Sequence, residues 1–526
     1  MDSQPSRRRR ALALPLGLAL TASLGLGGAA VASAQDTADR SANAQRTEQG
    51  SAAAQAGEKL SYVVNTKADS ATVERVKKEI SKADGTVVTT YKKIGVIVAH
   101  STNPEFGDEL RAVNGVSSAG ATRTAPLKAA ATTDVGKPQY VSAAKAEAAA
   151  AKTAAAQGTG AEEPLESLQW DKRAIKADKA HKISQGSKKV TVGVIDTGVD
   201  DTHPDLKPNF AAGQSASCVG GKADTSPGAW RPYDPANDYH GTHVAGIIAA
   251  PRNDVGIAGA APGVKVASLK VSEKDTSLFY TEAVVCAMMF AADHGIEVTN
   301  NSYYIDPWLY NCKADKDQGA LVDAVTRAVK YATGKGTAHV SSAGNSSHDL
   351  AAKSIKDDTS PNDSTPVERT VNPAECPDMP TMLPGTTSVS ATGPADNLKS
   401  YYSNYGTGQI DVAGPGGDSR YQTPEPPAKS GGVLSTMPEG EYAYLQGTSM
   451  AGPQVAGVAA LIKSKHPDVT PQELAWRLKA QAQDVKCPAK YDPDGKGTYA
   501  ATCTGSPGNN NFYGSGLVDA LAAVTK

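Results

Sequence analysis

Charge imbalance, long apolar runs and closely spaced cysteines are all scarce in this 526-residue sequence, and each scarcity excludes something. Lys and Arg number 53 against 55 Asp and Glu, a formal net charge of −2, so no basic field draws the chain to nucleic acid. Past residue 34 no segment reaches the roughly 18 consecutive apolar residues of a membrane-spanning helix, which predicts a soluble protein with no membrane partner. None of the six cysteines precedes Cys218, and no two have the C-x-x-C spacing of a zinc site. The length exceeds one ordinary domain and predicts about three units.

The longest apolar run stands near the start. Arg7 to Arg10 are followed by ALALPLGLALTASLGLGGAAVA and then by Ala32-Ser33-Ala34, the pattern of a secretory signal cut before Gln35. The expected location is therefore extracellular. For an exported chain an even number of cysteines predicts disulfides, although six allow 15 pairings. Cys487 and Cys503 bracket a Gly/Pro/Asp-rich loop and are the preferred pair, with Cys312 and Cys376 as a second. Cys286 lies in an apolar helical run, so a disulfide and a free buried thiol both stay open.

Composition divides the chain into five segments. After the signal (1–34), residues 35–57 are polar, Ala-rich and expected to be disordered. Residues 58–126 alternate strand and amphipathic-helix patterns in a split β-α-β order, large enough for a small core. Residues 127–164 form an Ala-rich linker, partly helical and exposed, so the small unit before it has the placement of a propeptide. From 165 to 526, apolar strands such as VTVGVID, VKVASLKV, IEVTNNS and AHVSS alternate with helical patterns. That texture predicts an α/β fold, a mostly parallel central sheet with helices on both faces, and places functional residues at the carboxyl ends of the strands.

Three such ends carry chemistry. The strand Val192 to Ile195 stops at Asp196, with Thr197 and Gly198 for a tight exit. HGTHVAGIIAA opens a helix with His240 at its start, and His243 lies one turn inside, a structural position. GTSMAGPQVAG opens another, with apolar Val455, Val458, Ala459 and Ile462 at helical spacing and Pro453 expected in the first turn. Ser449 then sits at a helix N-terminus, where backbone N–H groups and the dipole favour developing negative charge. An Asp orienting a His that takes a proton from Ser is what a weak hydroxyl nucleophile needs to attack an acyl carbon. His294, His339, His348 and His466 lack comparable surroundings and read as solvated or loop residues.

In that chain order, VIDTGVD, HGTHVAG and GTSMAGPQVAG resemble the three signature segments of the subtilisin-like serine proteases. The order Asp, His, Ser, and a serine motif ending in Ala, exclude the α/β-hydrolase arrangement. The resemblance spans residue 165 to the end, and it implies a catalytic triad of Asp196, His240 and Ser449 in an endopeptidase. SSAGN resembles the segment whose asparagine donates to the oxyanion, which implies that role for Asn345 beside the Ser449 N–H. It further implies substrate contacts at Ser302, Tyr303, Tyr304, Ser342, Ala343 and Gly344. The unit at 58–126 looks like the family's inhibitory prodomain, an intramolecular partner of a self-processing zymogen. Protein or peptide substrates and a monomeric state are expected.

The family implies no catalytic cofactor, but APRNDVGIAGAAP resembles its calcium loop. There Asn253 and the carbonyls of Pro251, Val255 and Ile257 would join Asp205 around a structural ion. The sequence departs from the family at Tyr303 and Tyr304, where a small or aliphatic residue and a glycine are usual. Their aromatic rings either narrow the cleft or anchor the insertion IDPWLYNCKADKDQG. A narrow-specificity processing protease and a catalytically silent scaffold of the same fold are the alternatives.

Overall fold

Strand periodicity organises the N-terminal unit. The computed structural model describes residues 57–124, 135–141 and 162–526, so the expected signal, and nearly all of the segment expected to be disordered, lie outside the described residues. Strands β1 (Leu60–Thr66), β2 (Gly85–Tyr91), β3 (Val96–Ser101) and β4 (Val116–Ala121) form an antiparallel sheet in the order β2-β3-β1-β4. Helices α1 (Ser70–Lys82) and α2 (Phe106–Arg111) complete the unit. Asp69 caps α1 by accepting from the Thr72 N–H at 2.8 Å, and Val73, Val76 and Ile80 turn inward at helical spacing. Because successive side chains alternate faces, Tyr62, Val64, Ile97 and Ala99 pack with Phe106 and Leu110, whereas Val63 and Val96 pack into the body of the protein.

The body is a seven-stranded parallel sheet in the order β12-β11-β10-β9-β6-β8-β7. Its strands are β6 (Thr191–Asp196), β7 (Ala216–Ser217), β8 (Lys265–Lys270), β9 (Val298–Asn301), β10 (Ala338–Ser342), β11 (Thr386–Thr392) and β12 (Val412–Pro415). Both faces are covered, as the near-continuous apolar strands predict. Val192, Val194, Val298 and Val340 pack with α3 (His240–Ala249) and α6 (Thr448–Lys465). Ile195, Ala267 and Leu269 pack with α4 (Thr281–Asp293) and α5 (Lys316–Gly334). The α6 helix is buried on all sides from Met450 to Ile462, more than a one-faced helix would be, because it crosses the middle of the sheet.

The N-terminal sheet docks on α4 and α5. The Arg327 guanidinium donates to the Thr66 and Ile94 carbonyls at 2.6 and 3.1 Å, Arg111 pairs with Asp317 at 3.0 Å, and Asn65 donates to the Ala320 carbonyl at 2.9 Å. Within the Ala-rich stretch the described residues include a short strand, β5 (Gln139–Tyr140), a feature the linker composition does not announce. It adds to the hairpin of β13 (Val433–Met437) and β14 (Glu441–Leu445), since a hairpin edge offers unpaired N–H and C=O groups to any extended neighbour.

All six cysteines pair. Cys487–Cys503 and Cys312–Cys376 form as expected, and Cys286 joins Cys218, tying α4 to the loop after β7.

Candidate active site

The carboxyl edge of the sheet collects the three motif residues. Asp196 ends β6 fully buried, and its Oδ1 accepts from the Thr197 N–H at 2.7 Å. Gly198 follows with φ +109°, and a Cβ there would stand 2.8 Å from the Trp230 carbonyl oxygen, so the tight exit needs glycine on both counts. The exit points the chain at α3, where the Gly241 N–H donates to Thr197 Oγ1 at 3.0 Å. His240, first residue of α3, thereby brings Nδ1 to 2.8 and 3.0 Å from the two Asp196 carboxylate oxygens.

Ser449 reaches the same edge by another route. β6 and β9 are adjacent, with Ile195 opposite Asn301, so the next residues, Asp196 and Ser302, emerge side by side at a strand spacing of about 4.8 Å. Ser302 and Ser449 bond reciprocally. Ser302 Oγ donates to the Ser449 carbonyl at 2.9 Å, and Ser449 Oγ donates to the Ser302 carbonyl at 3.3 Å.

Pro453 explains the first of these bonds. It lies in the second turn of α6 rather than the first turn expected from sequence, because the helix starts at Thr448. Proline has no N–H to give to the carbonyl four residues back, which is that of Ser449. The freed oxygen takes the Ser302 hydroxyl instead, so the defect in the helix becomes a fixed contact for the serine.

Asn345 is held from behind by Thr448. Its Oδ1 accepts from the Thr448 N–H and hydroxyl, both at 2.8 Å, and this fixes Nδ2 as the remaining donor of the amide. Gly344 N–H donates to the same Thr448 hydroxyl at 3.1 Å. Ser342 and Ala343 are buried, their carbonyls taken by Thr381 and Asn404. Tyr303 is also buried, its hydroxyl bonded to Asn301 and its ring stacked on Phe279 at 5.1 Å. Tyr304 is half-buried and accepts from Asn362 Nδ2 at 2.8 Å, so its hydroxyl is tied to the segment that follows Asn345.

The histidines sort by burial. His243 is fully buried with Nε2 3.0 Å from the Ala443 carbonyl, and burial pushes it down to about 3. His339 corrects the sequence reading. It is not solvated but 1% exposed within β10, with Nδ1 2.7 Å from Thr299 Oγ1 and a pKa that burial lowers to about 4. In AHVSS both faces of the strand are covered, so polarity says nothing about exposure.

Asp205, Asn253 and the loop 251–257 come together. Asp205 Oδ2 accepts from the Ile257 N–H at 2.8 Å, while Asp205 Oδ1 and Asn253 Oδ1 are buried without a hydrogen-bond partner. Burial pushes the Asp205 carboxyl up to about 8. Two orphaned hard oxygens in one pocket, one of them on a carboxylate that burial penalises, fit a calcium ion. Among the described residues no three His, Cys, Asp or Glu side chains cluster as a metal site. Glu163, whose Oε2 accepts from the Val255 N–H at 2.9 Å, joins this loop without a sequence signal.

Thr448 and Asp378 were also missed. Thr448 stands inside the serine motif and the signal for it was its neighbour; Asp378 had none. It lies behind Gly344, 2% exposed, with Oδ1 unpartnered and a carboxyl that burial holds well above the usual range.

With this geometry in hand, the relatives are informative. The model of the Subtilase family matches residues 187–516. The M-protease of Shouchella clausii (strain KSM-K16) is 32% identical over 359 residues, covering 68% of this chain and 70% of that protein. Subtilisin BL of Lederbergia lenta is 30% identical over 359 residues, covering 68% of this chain and 99% of that protein. The crystal structure of the epidermin leader peptide processing serine protease of Staphylococcus aureus superposes with a TM-score of 0.62 at 22% identity, over 89% of this chain and 98% of that one, a likeness of fold.

Proposed function

The chain belongs to the subtilase family, and from that premise we propose that it is a secreted serine endopeptidase, made as a self-processing zymogen, that acts through an acyl-enzyme on Ser449. The strongest support is the pair of contacts at one sheet edge: His240 Nδ1 on Asp196 at 2.8 Å, and Ser302 holding Ser449 beside them. With Nδ1 committed, Nε2 is the ring nitrogen that handles the proton. The 3.3 Å bond from Ser449 Oγ to Ser302 is at the long end of hydrogen bonding and is readily exchanged for one to the imidazole.

As Ser449 Oγ attacks a peptide carbonyl carbon, its proton passes to His240, and Asp196 stabilises the imidazolium. Negative charge gathers on the former carbonyl oxygen, where Asn345 Nδ2 and the Ser449 N–H donate; one such side-chain donor lowers the barrier by about 3 kcal/mol. His240 returns the proton to the departing amine as the C–N bond breaks. A water then repeats the sequence on the ester, freeing Ser449. Ser302, Tyr304 and the segment 342–344 are the substrate contacts in this scheme, with Tyr303 supporting Ser302 from beneath.

In the same reading, residues 58–126 are the inhibitory prodomain, 1–34 direct export, and calcium at Asp205 and Asn253 supplies the charge that the buried carboxylate lacks. A narrow processing role is the alternative to broad digestion.

A serine-directed phosphonate tests the whole. The secreted protein is expected to gain one label and Ser449→Ala none; an unlabelled wild type would leave a silent scaffold. The mass of the secreted form checks signal removal and self-processing. Cleavage mapping on a denatured proteome separates a narrow processing enzyme, with few sites, from a broad one. Chelation is expected to lower Tm, and an unchanged Tm would count against calcium.

A further inference from the structure

Arg123 follows β4 in the N-terminal unit, and it is not left in solvent. Its Nη2 donates to Glu282 Oε1 at 2.6 Å and Glu273 Oε1 at 3.3 Å, and its guanidinium lies 4.0 Å from the centroid of the Tyr280 ring. The side chain is 12% exposed, Glu282 is 1% exposed, and Glu282 Oε2 is buried without a partner. This is a guanidinium site in which two carboxylates converge on Nη2 over an aromatic face, while Arg123 Nε is buried without a partner.

The three pocket residues belong to the body, while the arginine arrives from the N-terminal unit. If that unit leaves, two carboxylates remain side by side without their cation. The charged groups facing Glu273 are Arg123, which lowers its pKa, and Glu282, which raises it along with burial. The pocket therefore lacks its cation once Arg123 has gone, and the penalty for that is relieved by another.

The pocket also connects to the serine. Phe279 precedes Tyr280 and stacks on Tyr303, which follows Ser302, the residue bonded both ways to Ser449. Thr124, next after Arg123, is bound through its N–H and hydroxyl to Asp363, whose Oδ2 also accepts from Tyr280. Arg123 and Thr124 thus both bond to this wall.

We propose that Glu273, Glu282 and Tyr280 form a recognition pocket for an arginine side chain of the peptide substrate, upstream of the bond to be cut, and that Arg123 fills it as an intramolecular stand-in. The inference rests on the protease reading and deepens it by naming a substrate class. Arginine is favoured over lysine because a planar guanidinium stacks its face on Tyr280 while one of its nitrogens reaches both carboxylates, and an ammonium has no plane to stack.

The test uses the full chain, expressed and left to process, against peptides in which arginine or norleucine stands at each upstream position in turn. At one position arginine is expected to raise kcat/KM by about tenfold or more, the size of one charge-assisted hydrogen bond. Glu273→Gln, at a partly exposed site that tolerates change, is expected to bring that ratio towards one; Glu282→Gln is a second variant with the same expected direction. Equal rates for arginine and norleucine at every position overturn the inference alone, as does a preference that survives both variants, which would make the pocket a latch for the N-terminal unit only. A protein that cleaves no peptide overturns the protease reading and this inference with it.

Discussion

The N-terminal unit and the seven-stranded body are both α/β layers, yet they hold together differently. The body is closed upon itself, with α3 and α6 against one face of the sheet and α4 and α5 against the other. The N-terminal unit has its own small core around Phe106 and Leu110, and meets the body chiefly through Arg327, Arg111, Asn65 and Arg123, with Val63 and Val96 as apolar contacts. A polar interface between two self-contained cores is the kind that separates without unfolding either partner. The difference teaches that the two parts are held by different forces: Asp196, His240 and Ser449 stand in the body on elements locked by apolar layers, whereas the N-terminal unit is attached largely by side chains such as Arg327 and Arg123 that reach polar groups across the interface.

Four changes break or sharpen that division. The largest effect is expected for His240→Ala, which should lower kcat by about 10⁶-fold, as loss of one member of a nucleophile–base pair does, while limited proteolysis finds the N-terminal unit docked as before. Asn345→Ala should cost about 10²- to 10³-fold in kcat with little change in KM, in steady-state assays, if its amide donates, as proposed, to charge that develops only in the transition state.

Acid should weaken the body. Burial keeps folded His339 neutral down to about pH 4 and His243 to about pH 3, whereas the unfolded chain protonates them below about pH 6.5. The unfolded state then binds more protons, so stability is full above pH 6.5 and falls as pH drops towards 4. Melting curves should show Tm falling across that window, and His339→Gln should flatten the slope. The smallest effect belongs to the interface: Arg327→Ala should speed protease nicking of the N-terminal unit several-fold while leaving the body's Tm within a few degrees. A cooperative loss of both regions would show that the two are one stability unit.

Much of this is legible in the sequence. Asp196 could be placed because a buried strand followed by Thr-Gly announces its own end, and Ser449 because small residues followed by Val455 and Val458 announce a helix. Pro453 sits one turn later than its pattern implies, since the carbonyl that its missing N–H leaves free, that of Ser449, takes the hydroxyl of Ser302, 147 residues from Ser449. His339 was misjudged because AHVSS is polar by composition while the layers above and below it are apolar. Cys286 could not be paired by spacing, and β5 could not be seen in an Ala-rich stretch, because in each case the partner is chosen by where a distant element comes to rest.

The sequence by itself determined the order of strands and helices, the ends at which Asp196, His240 and Ser449 stand, and the family, because periodicity, turn chemistry and motif letters act over a few residues. Only the tertiary structure decided that Ser302 repairs the helix at Pro453, that Thr448 fixes Asn345, and that Arg123 meets Glu282 159 residues away. The reason is desolvation. Which charge or polar atom needs a partner depends on what covers it, and the cover comes from remote parts of the chain.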